Sequence, residues 1–411
     1  MTYASPPADE SPANRPRVLF VDDDPAILEG LGLSLRREGK RFEMQFSSSA
    51  EAALETLSER YVDVLVSGIH MPEVDGVAFL TEAKRHSPHT LRVVLCGEGV
   101  EEKALAIDAH RLLAKPYDRD PMIAVLEDAL RGVESLPSPD LVRAIAMSTA
   151  LPMAAKIHRQ LMRKLDAPAS GLSEVAELIE SDPGAAARVL QLCNSTFFRK
   201  ADPVVSIEEA VHTLGLQTLG IVVLEGKVGQ EQIAGKERRA FSAARFQKHA
   251  HLSSELARML LGCTGERAEL AGVAALFQHV GRQAVAQHCK RESREIMWRM
   301  LNAEDLSSLE REVLGCSQAD VGSALLRVWG LPEEIARAVG EFAEPEKSAQ
   351  GFDAAHAVHV ASGLAAEALG TEDPLFLCFG PRLDRGHLEH FGFTDSLEPW
   401  MATAQGLLET P

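Results

Sequence analysis

Residues able to do chemistry gather at the ends of short apolar runs. Asp22, Asp23 and Asp24 follow residues 18–21, Cys96 follows 91–95, and Lys115 follows Arg111–Ala114. Carboxylates are hard ligands for a divalent cation. A thiol near an amine gains thiolate character and with it redox reactivity. Each also has a plainer role: Asp24 before Pro25 reads as a helix N-cap with proline in the first turn, and Cys96 as a small apolar filler. A further run, 62–66, is broken only by Asp63, as in a strand buried on both faces of a sheet. It ends at Ser67-Gly68, so this strand delivers a residue with no side chain to the sheet edge where open α/β sheets place their sites.

The elements that position these groups alternate. Strand 18–21 is followed by a helix with Ile27, Leu28, Leu31 and Leu35 on one stripe, then strand 42–46 and helix Ala50–Glu59. After the glycine-ended strand come helix 77–85, strand 91–95, helix 101–109, strand Arg111–Ala114 and a helix capped by Asp120 and running over 120–131. Five strands alternating with five helices imply an α/β doubly wound domain with a five-stranded parallel sheet. Residues 1–16 read as a disordered tail, 17–132 as this domain and 133–140 as a linker, within a stretch, GVESLPSP, that carries two prolines. Everything beyond reads as helix. Asp182-Pro183 is a cap-and-proline start, and Ser206 with Glu209 is a capping box.

The stretch YVDVLVSGIHMPEVDG resembles the third strand of the receiver domain of two-component response regulators, where an aspartate stands before the Met-Pro pair. That resemblance places Asp22 and Asp23 as the acidic pair for magnesium, Lys115 as the contact to the phosphoryl oxygens and Gly68 at the phosphoacceptor. Glycine has no oxygen with which to form an acyl phosphate. Cys96 stands where receivers carry Ser or Thr, and Leu112 replaces the aromatic that moves with that hydroxyl. Three departures imply a naturally degenerate receiver, with Lys115 left to pair with Asp22 or Asp23.

The texts LPMAAKIHRQLM, SDPGAAARVLQLCNSTFF and SIEEAVHTLGLQTLGIVVL resemble the HDOD domain, an all-α output module of bacterial signalling proteins. The domain is expected over 141–411: an N-terminal helical part at 141–235, a bundle at 236–370 similar to HD hydrolases, and a closing segment at 371–411. In an HD hydrolase the metal ligands would be His249, a His-Asp pair and a later aspartate. The pair falls on Gln278-His279, in a register marked by Gly281 and Arg282. Gln318 falls where related sequences often have histidine, and Ser362 where the final aspartate would lie. An amide and a hydroxyl are poor substitutes for a bridging carboxylate. His249 and His279 are therefore expected as buried helix histidines, with no metal and no cofactor. The cyclic-dinucleotide alternative has His249, His279 and Arg282 contact phosphates. Residual phosphodiesterase activity is the third reading.

Of the 411 residues, 45% are hydrophobic and 25% charged, and the formal charge is −18. Such a chain repels a phosphate backbone, which disfavours nucleic acid despite basic clusters such as 236–239. Cys96, Cys193, Cys263, Cys289, Cys316 and Cys378 show no C-x-x-C spacing, as fits reduced thiols in the cytoplasm. No membrane span is expected. The resemblances imply a non-enzymatic, cytoplasmic signalling regulator that binds a protein partner: a kinase, a regulator or a cyclic-dinucleotide enzyme. They place its docking face on the helices at 101–109 and 120–131, and leave a homodimer open.

Overall fold

The computed structural model describes residues 15–71, 74–97, 108–115, 119–167, 171–198, 202–224, 243–262, 264–300, 306–348, 351–370 and 383–409. The tail at 1–14, the cluster at 236–239, Gly380-Pro381, Cys263, Cys378 and all but the last two residues of the helix expected over 101–109 lie outside the described residues.

Strands β1 (Arg17–Val21), β2 (Glu43–Ser47), β3 (Val64–Gly68), β4 (Leu91–Cys96) and β5 (Arg111–Ala114) form one parallel sheet in the order β2-β1-β3-β4-β5. β3 and β4 are buried along their whole length, which is why their apolar residues run on without alternation. Helices α1 (Pro25–Leu35), α2 (Ala50–Glu59) and α3 (Gly76–His86) start on Asp24, Ser49 and Asp75, whose side chains accept from Ala26, Ala52 and Val77 N–H groups. These caps satisfy donors that a helix start leaves unpaired.

The last receiver helix, α4, runs Arg119–Glu134. Asp120 therefore lies inside its first turn rather than capping it, where a carboxylate still favours the positive end of the helix. The linker is shorter than 133–140. The next helix, α5 (Pro139–Met147), opens on Ser138, which accepts from Leu141 N–H, so only 135–138 connect the two.

The helical half continues with α6 (Ala155–Asp166), α7 (Leu172–Glu180), α8 (Pro183–Cys193) and α9 (Ile207–Leu224). Asp182 caps α8 by accepting from Ala185 N–H, and its second oxygen accepts from Ala154 N–H, both at 2.9 Å. Ser206 accepts from Glu209 N–H at the start of α9. By length and composition α9 is apolar enough to cross a membrane, which the sequence reading had not anticipated. It is not one straight rod: Gly215, at φ 71° and ψ 164°, breaks it into two helices.

The bundle then adds α10 (Ala243–Leu260), α11 (Glu266–Phe277), α12 (Val280–His288), α13 (Lys290–Met300), α14 (Leu306–Leu314), α15 (Gln318–Trp329), α16 (Glu333–Glu341) and α17 (Ala354–Ala368). α10, α11 and α17 pack together, and α15 lies against α12, α16 and the receiver's α4. Two closing helices, α18 (Arg385–His390) and α19 (Leu397–Glu409), complete the described chain. α19 packs on α17 and α10, with Trp400 edge-on to Phe393 at 5.4 Å.

Candidate functional site

At the sheet's carboxyl edge Asp22 is 2% exposed and Lys115 reaches it, Nζ donating to Oδ2 at 2.6 Å. The other oxygen, Oδ1, accepts from Asp24 N–H at 3.2 Å. A Cβ built on Gly68 would stand 2.9 Å from Asp22 Oδ2 and 3.7 Å from Lys115 Nζ. The ion pair therefore fills the place from which a side chain at position 68 would project. Cys96 is buried at the end of β4, and its carbonyl accepts from Lys115 N–H at 2.6 Å. Asp23 is half-buried. Asp22, Gly68, Cys96 and Lys115 thus meet in one pocket whose anion-binding cation is already occupied by a carboxylate.

The histidines form a second, deeper centre. His249 on α10 is wholly buried, and its Nε2–H donates to Ser362 O at 3.1 Å. A carbonyl can only accept, so Nδ1 of His249 carries a lone pair, which takes the Nε2–H of His279 at 2.9 Å. Burial pushes His249 down to about 3 and His279 well below the usual imidazole range, the latter helped by His249 and Arg282 nearby. Both rings are neutral at pH 7. Gln278 donates to Ala275 O at 2.8 Å, and Ser362 contributes its backbone carbonyl. Among the described residues no group of three or more His, Cys, Asp or Glu could hold a metal ion.

Arg282 and Gln318 are joined to each other through Glu310. Arg282 Nη2 donates to Glu310 Oε1 at 2.8 Å, and Gln318 N–H donates to Oε2 at 3.0 Å. Sequence reasoning missed Glu310, yet a signal existed: Leu306, Glu310 and Leu314 share one helical stripe, so a carboxylate there is driven inward. The structure therefore splits the expected HD-site set. His249, His279 and Ser362 meet at one point, and Arg282 and Gln318 at another.

A third polar region joins the two halves. The last carbonyls of α5 have no partners within their helix and form its negative end. Three basic groups of the receiver cover them. Arg92, wholly buried in β4, donates from Nη2 to Ala146 O at 2.8 Å. His110 Nδ1 accepts from Arg92 N–H, which leaves Nε2–H to donate to Ile145 O at 3.4 Å. Lys84 reaches Met147 O at 3.5 Å and pairs with Asp108 at 2.5 Å. Burial lowers Arg92 only to about 10, so it stays charged at pH 7.

Arg111 does the same for α15, donating from Nε to Val328 O at 2.9 Å and from Nη2 to Arg327 O at 2.6 Å. Gly330 ends that helix at φ 83°, and a Cβ there would lie 2.1 Å from Arg111 Nη1. α4 presses on α15 at Gly132, where a Cβ would meet Ala324 O and Val328 Cγ2 at 2.8 Å. Gln191 donates to His110 O, and Thr196 accepts from Ala114 N–H, each at 2.7 Å. The seam was legible only as an oddity: Arg92 is a charge inside an otherwise apolar strand, LRVVLC.

Residues 18–127 match the family model of the response regulator receiver domain, and 151–345 that of the HDOD domain. Among curated proteins, the transcriptional regulatory protein GlrR of Escherichia coli K12 is 28% identical over 194 residues, 46% of this chain and 41% of GlrR. The chain thus spans less than half the length of that relative. Among solved structures, the MmoQ response regulator of Methylococcus capsulatus Bath is 21% identical, with TM-score 0.47, covering 62% of this chain and 98% of MmoQ. The signal receiver domain of an HD domain-containing protein from Pseudomonas fluorescens Pf-5 is 31% identical, with TM-score 0.27, covering 29% of this chain and 96% of that one.

A parallel five-stranded sheet with an acid-lysine pocket, carrying a helical output half, defines a signal-transduction regulator. The chain is a response regulator that joins a receiver lacking its phosphoacceptor aspartate to a C-terminal HDOD domain. Helices α5, α17, α18 and α19 lie outside the matched HDOD stretch, and α5, α17 and α19 pack on it.

Proposed function

We propose that the protein is a non-enzymatic, cytoplasmic signalling regulator that works by binding another signalling protein, without phosphorylation of an aspartate. The observation that carries this reading is the Asp22–Lys115 pair at 2.6 Å beside Gly68. A receiver with Asp at 68 would use Lys115 to bind the incoming phosphoryl group; here the lysine is already paired with Asp22 and position 68 offers no oxygen nucleophile. The neutral, buried His249–His279 pair is itself neither an exposed general base nor an open metal position.

The partner is a protein of the same signalling system, such as a kinase, a regulator or a cyclic-dinucleotide enzyme, and neither nucleic acid nor membrane. Of the face expected for it, 101–107 lie outside the described residues, while α4 lies against α15 and the β5 edge is capped onto the HDOD half. The receiver acts as a fixed brace, and the exposed HDOD helices meet the partner. Affinity capture from host lysate with the whole chain, untreated and treated with acetyl phosphate and magnesium, tests this. The same partner is expected in both samples; a partner retained only after treatment would contradict the reading.

A further inference from the structure

Helices α12, α13, α14 and α15 enclose a cavity of about 20 Å³. Its walls are apolar, with Val285, Ile296, Met297 and Leu314, and one end is polar, with Arg282, Glu310 and Gln318. At that end two buried atoms have no partner among the described residues: Arg282 Nη1, a donor, and Gln318 Oε1, an acceptor. The Arg282 side chain is 8% exposed and Gln318 is 4% exposed. Leaving such groups unpaired is costly, and natural interiors usually supply the missing partner.

The geometry points to a binding site for one uncharged O–H group, which accepts from Arg282 Nη1–H and donates to Gln318 Oε1. Three observations select that chemistry. The space exceeds the roughly 10–15 Å³ that one water requires, while Ser293 is the one other polar residue among the described residues of its lining. The Arg282 charge is balanced by Glu310, so a carboxylate or phosphate would meet no net positive charge and would face the Glu310 carboxylate. A carboxylate also brings no hydrogen for Gln318 Oε1, whereas a water or an alcohol satisfies both atoms at once.

The position gives the occupant leverage. Gln318 opens α15, and its backbone N–H is held by the same Glu310 that binds Arg282. The far end of α15 is held by Arg111 of the receiver. Whatever sits in the cavity therefore touches one end of a helix whose other end is the seam.

Crystals of the full chain at high resolution test the assignment. A peak within about 2.7–3.2 Å of both Arg282 Nη1 and Gln318 Oε1 is expected, and xenon under pressure should leave it in place. An isolated peak identifies solvent water; density extending along Ile296 and Met297 identifies a small ligand with a hydroxyl head. Either supports the site. An empty polar end, or xenon bound in the wild-type cavity, would overturn it. In Gln318→Met the peak should vanish and the Tm should fall by about 2–4 °C. A peak that persists in the variant would show that Gln318 is not its partner. If the variant does not fold, the wild-type crystals decide alone.

Discussion

The receiver pocket and the histidine centre are two places that have lost the groups for their families' usual chemistry, and they are closed differently. At the sheet edge the remaining groups keep their charges: Asp22 and Lys115 pair, with the lysine side chain 26% exposed. Inside the bundle the remaining groups give up charge: His249 and His279 are wholly buried, neutral and linked by one hydrogen bond. Solvent explains the contrast. An ion pair at a wet edge costs little, whereas a charge inside a helical core must be matched or neutralised. The seam follows the same rule, since buried Arg92 has three carbonyls to receive its N–H groups and the Asp108 carboxylate nearby to hold its charge.

Restoring an acid should therefore cost far more in the core than at the edge. His279→Asp would place a carboxylate beside a neutral imidazole, and urea denaturation should show a loss of about 3–5 kcal/mol. An unchanged midpoint would mean that the centre is wetter than its burial implies. Next is the seam: Arg92→Met leaves Ala146 O at the end of α5 without its guanidinium partner and should cost about 2–4 kcal/mol, with faster proteolysis at 135–138. If cleavage there does not change, Arg92 is not what fastens the halves.

Acid should also tell the regions apart. His249 is held down to about 3 and His387 to about 4, while His279 and His359 are lowered too, burial being the main cause in each case. Groups whose pKa is lower folded than unfolded contribute stability that is complete above pH 6.5 and is lost as pH falls toward 4. Thermal melts at pH 7.5 and pH 5 should show the lower Tm at pH 5, and equal values would refute the neutral pair. The smallest effect belongs to Gly68→Asp, which crowds buried Asp22 Oδ2 but projects toward the Lys115 amine, at about 1 kcal/mol.

The receiver fold was legible because most of its strands announce themselves as apolar runs and its first helix begins on Asp24 before Pro25; the caps Ser49 and Asp75 came from the structure. Gly68, Asp22, Cys96 and Lys115 could be placed in one pocket for the same reason: each ends a strand or directly follows one. The seam was not legible, since capping by Arg92 and Arg111 depends on where α5 and α15 end in space, up to 217 residues away. The split of the HD-site residues was hidden likewise. Only Glu310, on an apolar stripe, hinted that Arg282 had a partner other than phosphate.

The central claim is that the receiver pocket is chemically closed. Intact-mass spectrometry of the full chain after incubation with acetyl phosphate and magnesium tests it most directly. The account predicts no change in mass, alongside a Gly68→Asp variant that gains about 80 Da if the rest of the pocket survives. A stable adduct of about 80 Da on the wild-type chain would contradict it.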